Sequence, residues 1–352
     1  MKFAVGYRLP EEGEEPILEV VKDFREHIEE VYFPWLDMPS GRAPMTVHEG
    51  FIDWAGQEKL EKDLKEFKKM GIKLDLLLNA NCYGRHSLSK HFANFLISVI
   101  ERLKEVAGLD IVTTTSLMVA RTVKENFPDV EVRASVNMRI GTIKGMEYIS
   151  DLFESFYIQR EYNRDLGKIK ELKEWADKNK KRLFILVNSG CLNFCSGQVF
   201  HDNLVAHEKE IAEMDNIAGW NPSLCWNFYK RKENWVIFLQ NSWIRPEDIY
   251  HYDSYFSMAK LATRMHSNPR KVVQAYAEGK FHGNLLDLLE PGHTTLFYPY
   301  IIDNSKFPPD WFEKTTNCNK SCHRCTYCLE VLEKVLVKME PSYPAAGGHK
   351  GR

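Results

Sequence analysis

The sequence carries no excess of charge of either sign: 47 Lys and Arg stand against 49 Asp and Glu, a net charge of -2. That excludes a global basic field able to hold nucleic acid nonspecifically, so any RNA contact would have to be local. Long apolar runs are missing too. No segment approaches the roughly 20 apolar residues of a membrane span, and MKFAVGYRLPEEGEEP turns acidic before an apolar stretch of signal-peptide length develops, which predicts a cytoplasmic protein without a membrane span. Several local signatures of chemistry are also absent. Neither G-x-G-x-x-G nor G-x-x-x-x-G-K-[ST] occurs, the pairs His48-Glu49 and His207-Glu208 do not extend to H-E-x-x-H, and no G-x-S-x-G marks a serine nucleophile.

Cysteine, by contrast, is present and clustered. The chain has 352 residues, 44% of them hydrophobic, enough for one large core or two ordinary ones. Its eight cysteines are Cys82, Cys191, Cys195, Cys225, Cys318, Cys322, Cys325 and Cys328. In a reducing compartment such clusters point to metal or cluster ligation rather than to disulfides.

Short β-rich runs alternate with helical periods, the pattern of parallel strands joined by crossover helices. Eight strands are predicted to begin near Phe3, Glu30, Leu74, Asp110, Val130, Phe156, Leu183 and Ser254, several of them nearly continuous apolar runs such as KLDLLLNA. Apolar stripes at Leu60, Leu64, Phe67 and Met70, at Phe92 to Leu103, and at Leu166 to Trp175 predict helices, the first ending at Gly71 and the third entered through Asn163 and Asp165. Eight such units match a (β/α)8 TIM-type barrel over residues 1–290, with a doubly wound open sheet as the alternative. Residues 291–352 read as a C-terminal extension with a cysteine cluster, a short helix around Glu330 to Lys338 and a disordered tail.

In such a barrel, function collects where strands end. Polar or thiol-bearing residues stand there: Tyr7, Arg8, Asn79, Asn81, Cys82, Thr114, Thr115, Ser135, Asn137, Gln159, Arg160, Glu161, Asn188 and Cys191. The segment NSGCLNFCSGQ puts Cys191 and Cys195 past the seventh strand, and with Cys225 and Cys82 they could complete four thiolates around one 4Fe-4S cluster, unless Cys82 and Cys225 are buried apolar thiols. In NCNKSCHRCTYC, Cys318, Cys322, Cys325 and Cys328 are packed too tightly for the usual two-knuckle zinc site. A second 4Fe-4S cluster is the expectation there, with zinc as the alternative. The C-x3-C-x2-C of radical S-adenosylmethionine enzymes is also spelled, but beyond the last strand rather than after the first. His201 with Asp202, beside the cysteine loop, could bind substrate or move protons, or Asp202 could simply cap a helix. Tyr229, Lys230, Arg231 and Lys232 form a small basic and aromatic patch.

The order of FYIQREYNRDLGKIKEL, RLFILVNSGCLNFCSGQ, NPSLCWNFY, SWIRPEDI and SYFSMAKLATRMHSNPRKVVQAY resembles the U32, or collagenase-like, peptidase family. The matching positions are Arg160 and Glu161, then Cys191, Cys225, and Lys260, Arg264 and Met265. Two departures mark a divergent branch: Cys195 precedes Ser196-Gly197 where the family's cysteine follows that pair, and the C-terminal cysteine cluster is extra. The resemblance implies a barrel with a 4Fe-4S cluster at its mouth and an oxygen-independent hydroxylation or related redox role on RNA or a small aromatic substrate, served by an electron donor or partner protein. Arg160 and Lys260 would supply positive charge and Glu161 a carboxylate for proton transfer, with structural ion pairing inside the barrel as the competing meaning. A peptidase, and a non-catalytic RNA-binding or maturation protein with structural metal, are the other two classes.

Overall fold

The computed structural model describes residues 1–36, 38–42 and 53–339. His48-Glu49 and the C-terminal tail lie outside the described residues. Eight parallel strands, β1 (Lys2–Gly6), β2 (Ile28–Pro34), β3 (Lys73–Leu78), β4 (Ile111–Thr114), β5 (Glu131–Ala134), β6 (Ser155–Tyr157), β7 (Arg182–Leu186) and β8 (Met258–Lys260), close into one barrel. Closure is made by β1 on β8, where Lys2 lies opposite Met258 and Ala4 opposite Lys260. The (β/α)8 reading therefore holds, and the open sheet is excluded.

Alternation along the strands sorts two interiors. Val31, Phe33, Leu74, Leu76, Leu78, Val112, Val132 and Ile185 face outward into one apolar layer shared with the helices. Ala4, Tyr32, Leu77, Tyr157, Phe184 and Met258 pack in a separate cluster. Among the strand residues, Glu30, Asp75 and Arg133 are also fully buried and bonded to one another. The expectation of strands apolar on both faces thus fails for β2, β3 and β5, because oppositely charged side chains neutralise one another there.

Helices Trp54–Lys69, Lys90–Val106 and Leu166–Lys178 bury the predicted stripes. Asp165 caps the third by accepting from the Lys168 amide at 2.9 Å, and Gly71 takes the left-handed φ of +70° expected after the first. Strand β8 starts four residues after Ser254, because the aromatic run 252–256 is folded into a turn in which the amides of Tyr255 and Phe256 both donate to the Tyr252 carbonyl. Past Glu290, strands β9 (Tyr300–Ile302) and β10 (Leu336–Lys338) pair antiparallel. The predicted last helix accordingly runs over Tyr327–Val335, and its final residues become β10 instead. Trp311 stacks on Trp243 with ring centroids 5.9 Å apart, and the Arg164 guanidinium lies over both rings, which fastens this segment to the barrel.

Candidate functional site

At the C-terminal ends of the strands lies a cavity of about 70 Å³ whose lining includes Arg42, Asn79, Arg160, Lys260, Arg264 and Glu290. Four cations and one carboxylate make it electropositive, suited to a carboxylate-sized anionic group. Lys260, at the end of β8, sits over the Tyr32 ring at 3.6 Å, and burial brings its amine down to about 8 against the pull of Asp75 and Glu30. Burial likewise lowers Arg264 to about 10, and its Nη1 donates to the Ser40 hydroxyl at 3.1 Å. Beneath them, Arg133 Nη1 meets both Glu30 oxygens at 2.8 Å. Burial raises Glu30 to about 8 despite that contact.

Arg160 opens the turn after β6 and donates to the Gln198 side chain, which in turn donates to Asp202 at 2.6 Å. Burial opposes its charge, but Cys191, Glu161, Asp202 and Cys195 outweigh burial and raise its pKa. Arg160 therefore lines the cavity and lies within electrostatic reach of the thiol pair. Glu161 lies 3.7 Å from the Arg160 Nε with its other oxygen buried and unpartnered, outside the cavity lining. His201 lines a different cavity, of about 340 Å³, with Phe200, Leu204, Ile211 and Trp220. Burial lowers its pKa, as do Arg42 and Arg160, against Asp202. Asp202 does not cap a helix start; buried inside helix Gln198–Ala206, it accepts from Asn81 at 3.1 Å.

All eight cysteines are free thiols. Cys191 is placed by backbone pairing: the Gly190 amide donates to the Glu290 carbonyl at 3.0 Å, and a Cβ on Gly190 would lie 2.1 Å from the Pro291 carbonyl oxygen, so only glycine fits. Cys225, in the short helix Leu224–Tyr229, is pushed up to about 12 by burial and then by the negative charge of Cys191 and Cys195. These three thiols share one neighbourhood. Cys82 is placed otherwise. Its sulfur accepts from the Gly84 amide at 3.3 Å and pairs with His207, which lowers the thiol and raises the imidazole. His207 Nδ1 in turn meets Glu210 at 3.1 Å.

Cys318, Cys322, Cys325 and Cys328 line one cavity of about 480 Å³ beside Lys320. Cys328 is raised to about 11 by burial; Arg164 opposes the rise, and Cys322, Cys318 and Cys325 add to it. Among the described residues, no three His, Cys, Asp or Glu side chains gather closely enough for a single metal ion. A tetrahedral zinc with bonds of about 2.3 Å would need sulfurs roughly 3.8 Å apart. Four thiols around one cavity are a donor set of the kind that a metal centre uses. At the barrel mouth Cys191, Cys195 and Cys225 lie within electrostatic reach of one another, whereas Cys82 is engaged by Gly84 and His207.

Sequence reasoning missed Arg42 and Glu290 as lining of the mouth cavity, and His207 as the partner of Cys82. Each is brought in by a loop whose course no local periodicity encodes.

No family model matches the chain. It is 27% identical over 312 residues to an uncharacterized protease of Methanocaldococcus jannaschii, an alignment covering 84% of this chain and 90% of that protein. A solved U32 peptidase superposes with a TM-score of 0.52 at 15% identity, over 74% of this chain and 92% of the other, a likeness of fold. An endo-β-1,4-mannanase from Thermotoga petrophila aligns with a TM-score of only 0.37, over 55% of this chain and 61% of that one, at 13% identity. The motif order from Arg160 and Glu161 through Cys191 and Cys225 to Lys260, Arg264 and Met265 is thus carried on a barrel similar in fold to that of the U32 peptidase.

Proposed function

We propose that the chain is a cytoplasmic iron–sulfur enzyme with a redox role, oxygen-independent hydroxylation of RNA or of a small aromatic substrate being the reaction class that its family resemblance implies. The observation that carries this reading is the position of Arg160, which lines the mouth cavity and also feels the charge of Cys191 and Cys195. A cluster held there would carry away the electrons that hydroxylation removes from the substrate. The cations Arg160, Lys260 and Arg264 would bind an anionic group and stabilise negative charge developing on it. Lys260, with its lowered pKa, can give or take a proton at Nζ. Cys318, Cys322, Cys325 and Cys328 would hold a second cluster. The test is anaerobic purification with iron and sulfide analysis, followed by Arg160→Met and Lys260→Met. Turnover should fall with iron content unchanged; zinc without acid-labile sulfide in the native protein would overturn the reading.

One observation favours a second reading. Cys82, His207 and Glu210 form a thiol, imidazole and carboxylate series, the order of groups a cysteine peptidase uses. The thiolate would attack a peptide carbonyl carbon, and the protonated imidazole would give its proton to the departing amine. Peptide hydrolysis abolished by Cys82→Ala and His207→Ala, yet indifferent to loss of iron, would establish it in place of the first.

A further inference from the structure

Between Cys195 and Cys225 the chain forms helix Gln198–Ala206, a short helix Glu208–Ala212, and a loop that returns to helix Leu224–Tyr229. The first of these turns Gln198, Asp202 and Ala206 inward. Phe200 and Leu204, continued by Glu208, stand four residues apart on another side, a ridge of the kind on which a second helix packs. Ile217, Trp220 and Pro222 complete with them the lining of a groove of about 340 Å³. No residue from 212 to 222 is buried, yet the stretch includes Met214, Ile217 and Trp220, which are 68%, 80% and 57% exposed. Hydrogen bonds hold this loop in shape instead of burial. Asn216 Nδ2 donates to the carbonyls of Ile211 and Met214 at 2.8 and 3.0 Å, Asn227 Nδ2 donates to that of Asn221 at 2.7 Å, and Gly219 turns the chain at a φ of +72°. The apolar side chains are thus displayed on a shaped wall, and an exposed apolar surface of this kind marks an interaction site.

The rim of the groove is acidic. Glu208, Glu210, Glu213 and Asp215 are exposed, with a single base, Lys209, among them. An isologous dimer through this face would bring these carboxylates against themselves, and nucleic acid or an anionic lipid surface would be repelled by them. We infer that the groove is the docking site of a partner protein that presents an amphipathic helix, whose apolar side chains enter beside Leu204, Ile217 and Trp220 and whose flanking Lys or Arg residues meet the acidic rim. This goes beyond the redox reading above and does not depend on it. His201 lines the groove and feels Arg42 and Arg160, which line the mouth cavity, so the partner is seated beside that mouth.

The test uses the full chain and a fluorescein-labelled helical peptide with Leu at i, i+3, i+4 and i+7 and with Lys and Ala elsewhere, read by anisotropy. Two control peptides carry Glu in place of Lys, or the same residues with the Leu positions scrambled. Expected is saturable binding of the Leu and Lys peptide that weakens as salt rises, with amide-exchange protection centred on residues 198–224. Both controls should bind at least about tenfold more weakly, and the Leu and Lys peptide should lose as much on Ile217→Asp and on Trp220→Ala. Both side chains are exposed, so neither change threatens the fold, and Ile217→Asp adds negative charge, which separates apolar anchoring from general attraction of a cation. Equal binding of the Glu peptide, binding unchanged by Ile217→Asp, or protection elsewhere would overturn the inference. So would a wild-type dimer in light scattering that Ile217→Asp turns into a monomer, or binding of phosphatidylglycerol vesicles or of poly(U) that the same change abolishes.

Discussion

Arg133 and Glu30 are each 1% exposed, and the guanidinium meets both carboxylate oxygens. Removing one member of such a pair strands the other in a medium that solvates it poorly, at a typical cost of about 3 to 5 kcal/mol. Burial favours the neutral form of Glu30 and Arg133 opposes it, so in Arg133→Met the carboxyl can take up a proton and escape part of that penalty. The expected loss is therefore near the lower end, about 3 kcal/mol by urea denaturation, with part recovered in the double variant carrying Glu30→Gln. A loss under about 1 kcal/mol would mean that Arg133 contributes little beyond bulk. Cys82 gives a second expectation. His207 and the Gly84 amide stabilise its thiolate, so its alkylation by iodoacetamide should reach half-maximal rate at a pH below that of an ordinary thiol. His207→Ala should move that midpoint upward, whereas an unchanged profile would show that the imidazole does not act on the sulfur.

At the scale of elements, the cysteine-rich segment cannot simply be cut away. Val331, Leu332 and Val335 of helix Tyr327–Val335 are buried, and β10 is the partner of β9. Ending the chain before Cys318 would expose those side chains, each worth about 1.5 to 3 kcal/mol of burial. Serine at Cys318, Cys322, Cys325 and Cys328 is the cleaner change: about four iron atoms should be lost with the thermal midpoint of the barrel little altered. Loss of all the iron would make the two thiol groups interdependent. The elements also show what was legible. Strand starts at Phe3, Leu74, Asp110, Val130, Phe156 and Leu183 fall within one residue of the observed ones, because β-branched and aliphatic runs between capped helices leave few alternatives. The eighth start was misplaced because the aromatics of 252–256 read as strand while making a turn. Cys191, Cys195 and Cys225 were legible as neighbours from their place around β7. The position of Cys82 was not, since β3 fixes its height on the barrel but not the direction of its side chain.

For the whole molecule, the proposal of a four-iron cluster at each of the two thiol groups gives an expected total of about eight iron atoms per chain after anaerobic purification. About four would leave one set empty, and the serine variants would say which. The two groups are spatially related through one short stretch of chain. Arg160 lies by Cys191 and Cys195, while Arg164, four residues on, lies by Cys328 and Cys318. A fully extended chain spans at most about 3.6 Å per residue, so their backbones are separated by no more than about 14 Å. Between them Asn163 is pinned, its amide donating to the carbonyls of Leu186 and Ser242 and its own carbonyl accepting from Tyr252. Arg164 is clamped by the Trp243 and Trp311 rings. Mechanically, that turn is a stiff lever with one arm at the mouth and the other under the outer cysteines. An anion seated against Arg160 should therefore slow amide hydrogen exchange across residues 318–328 as well as at the mouth, whereas protection confined to the mouth would show the lever to be slack.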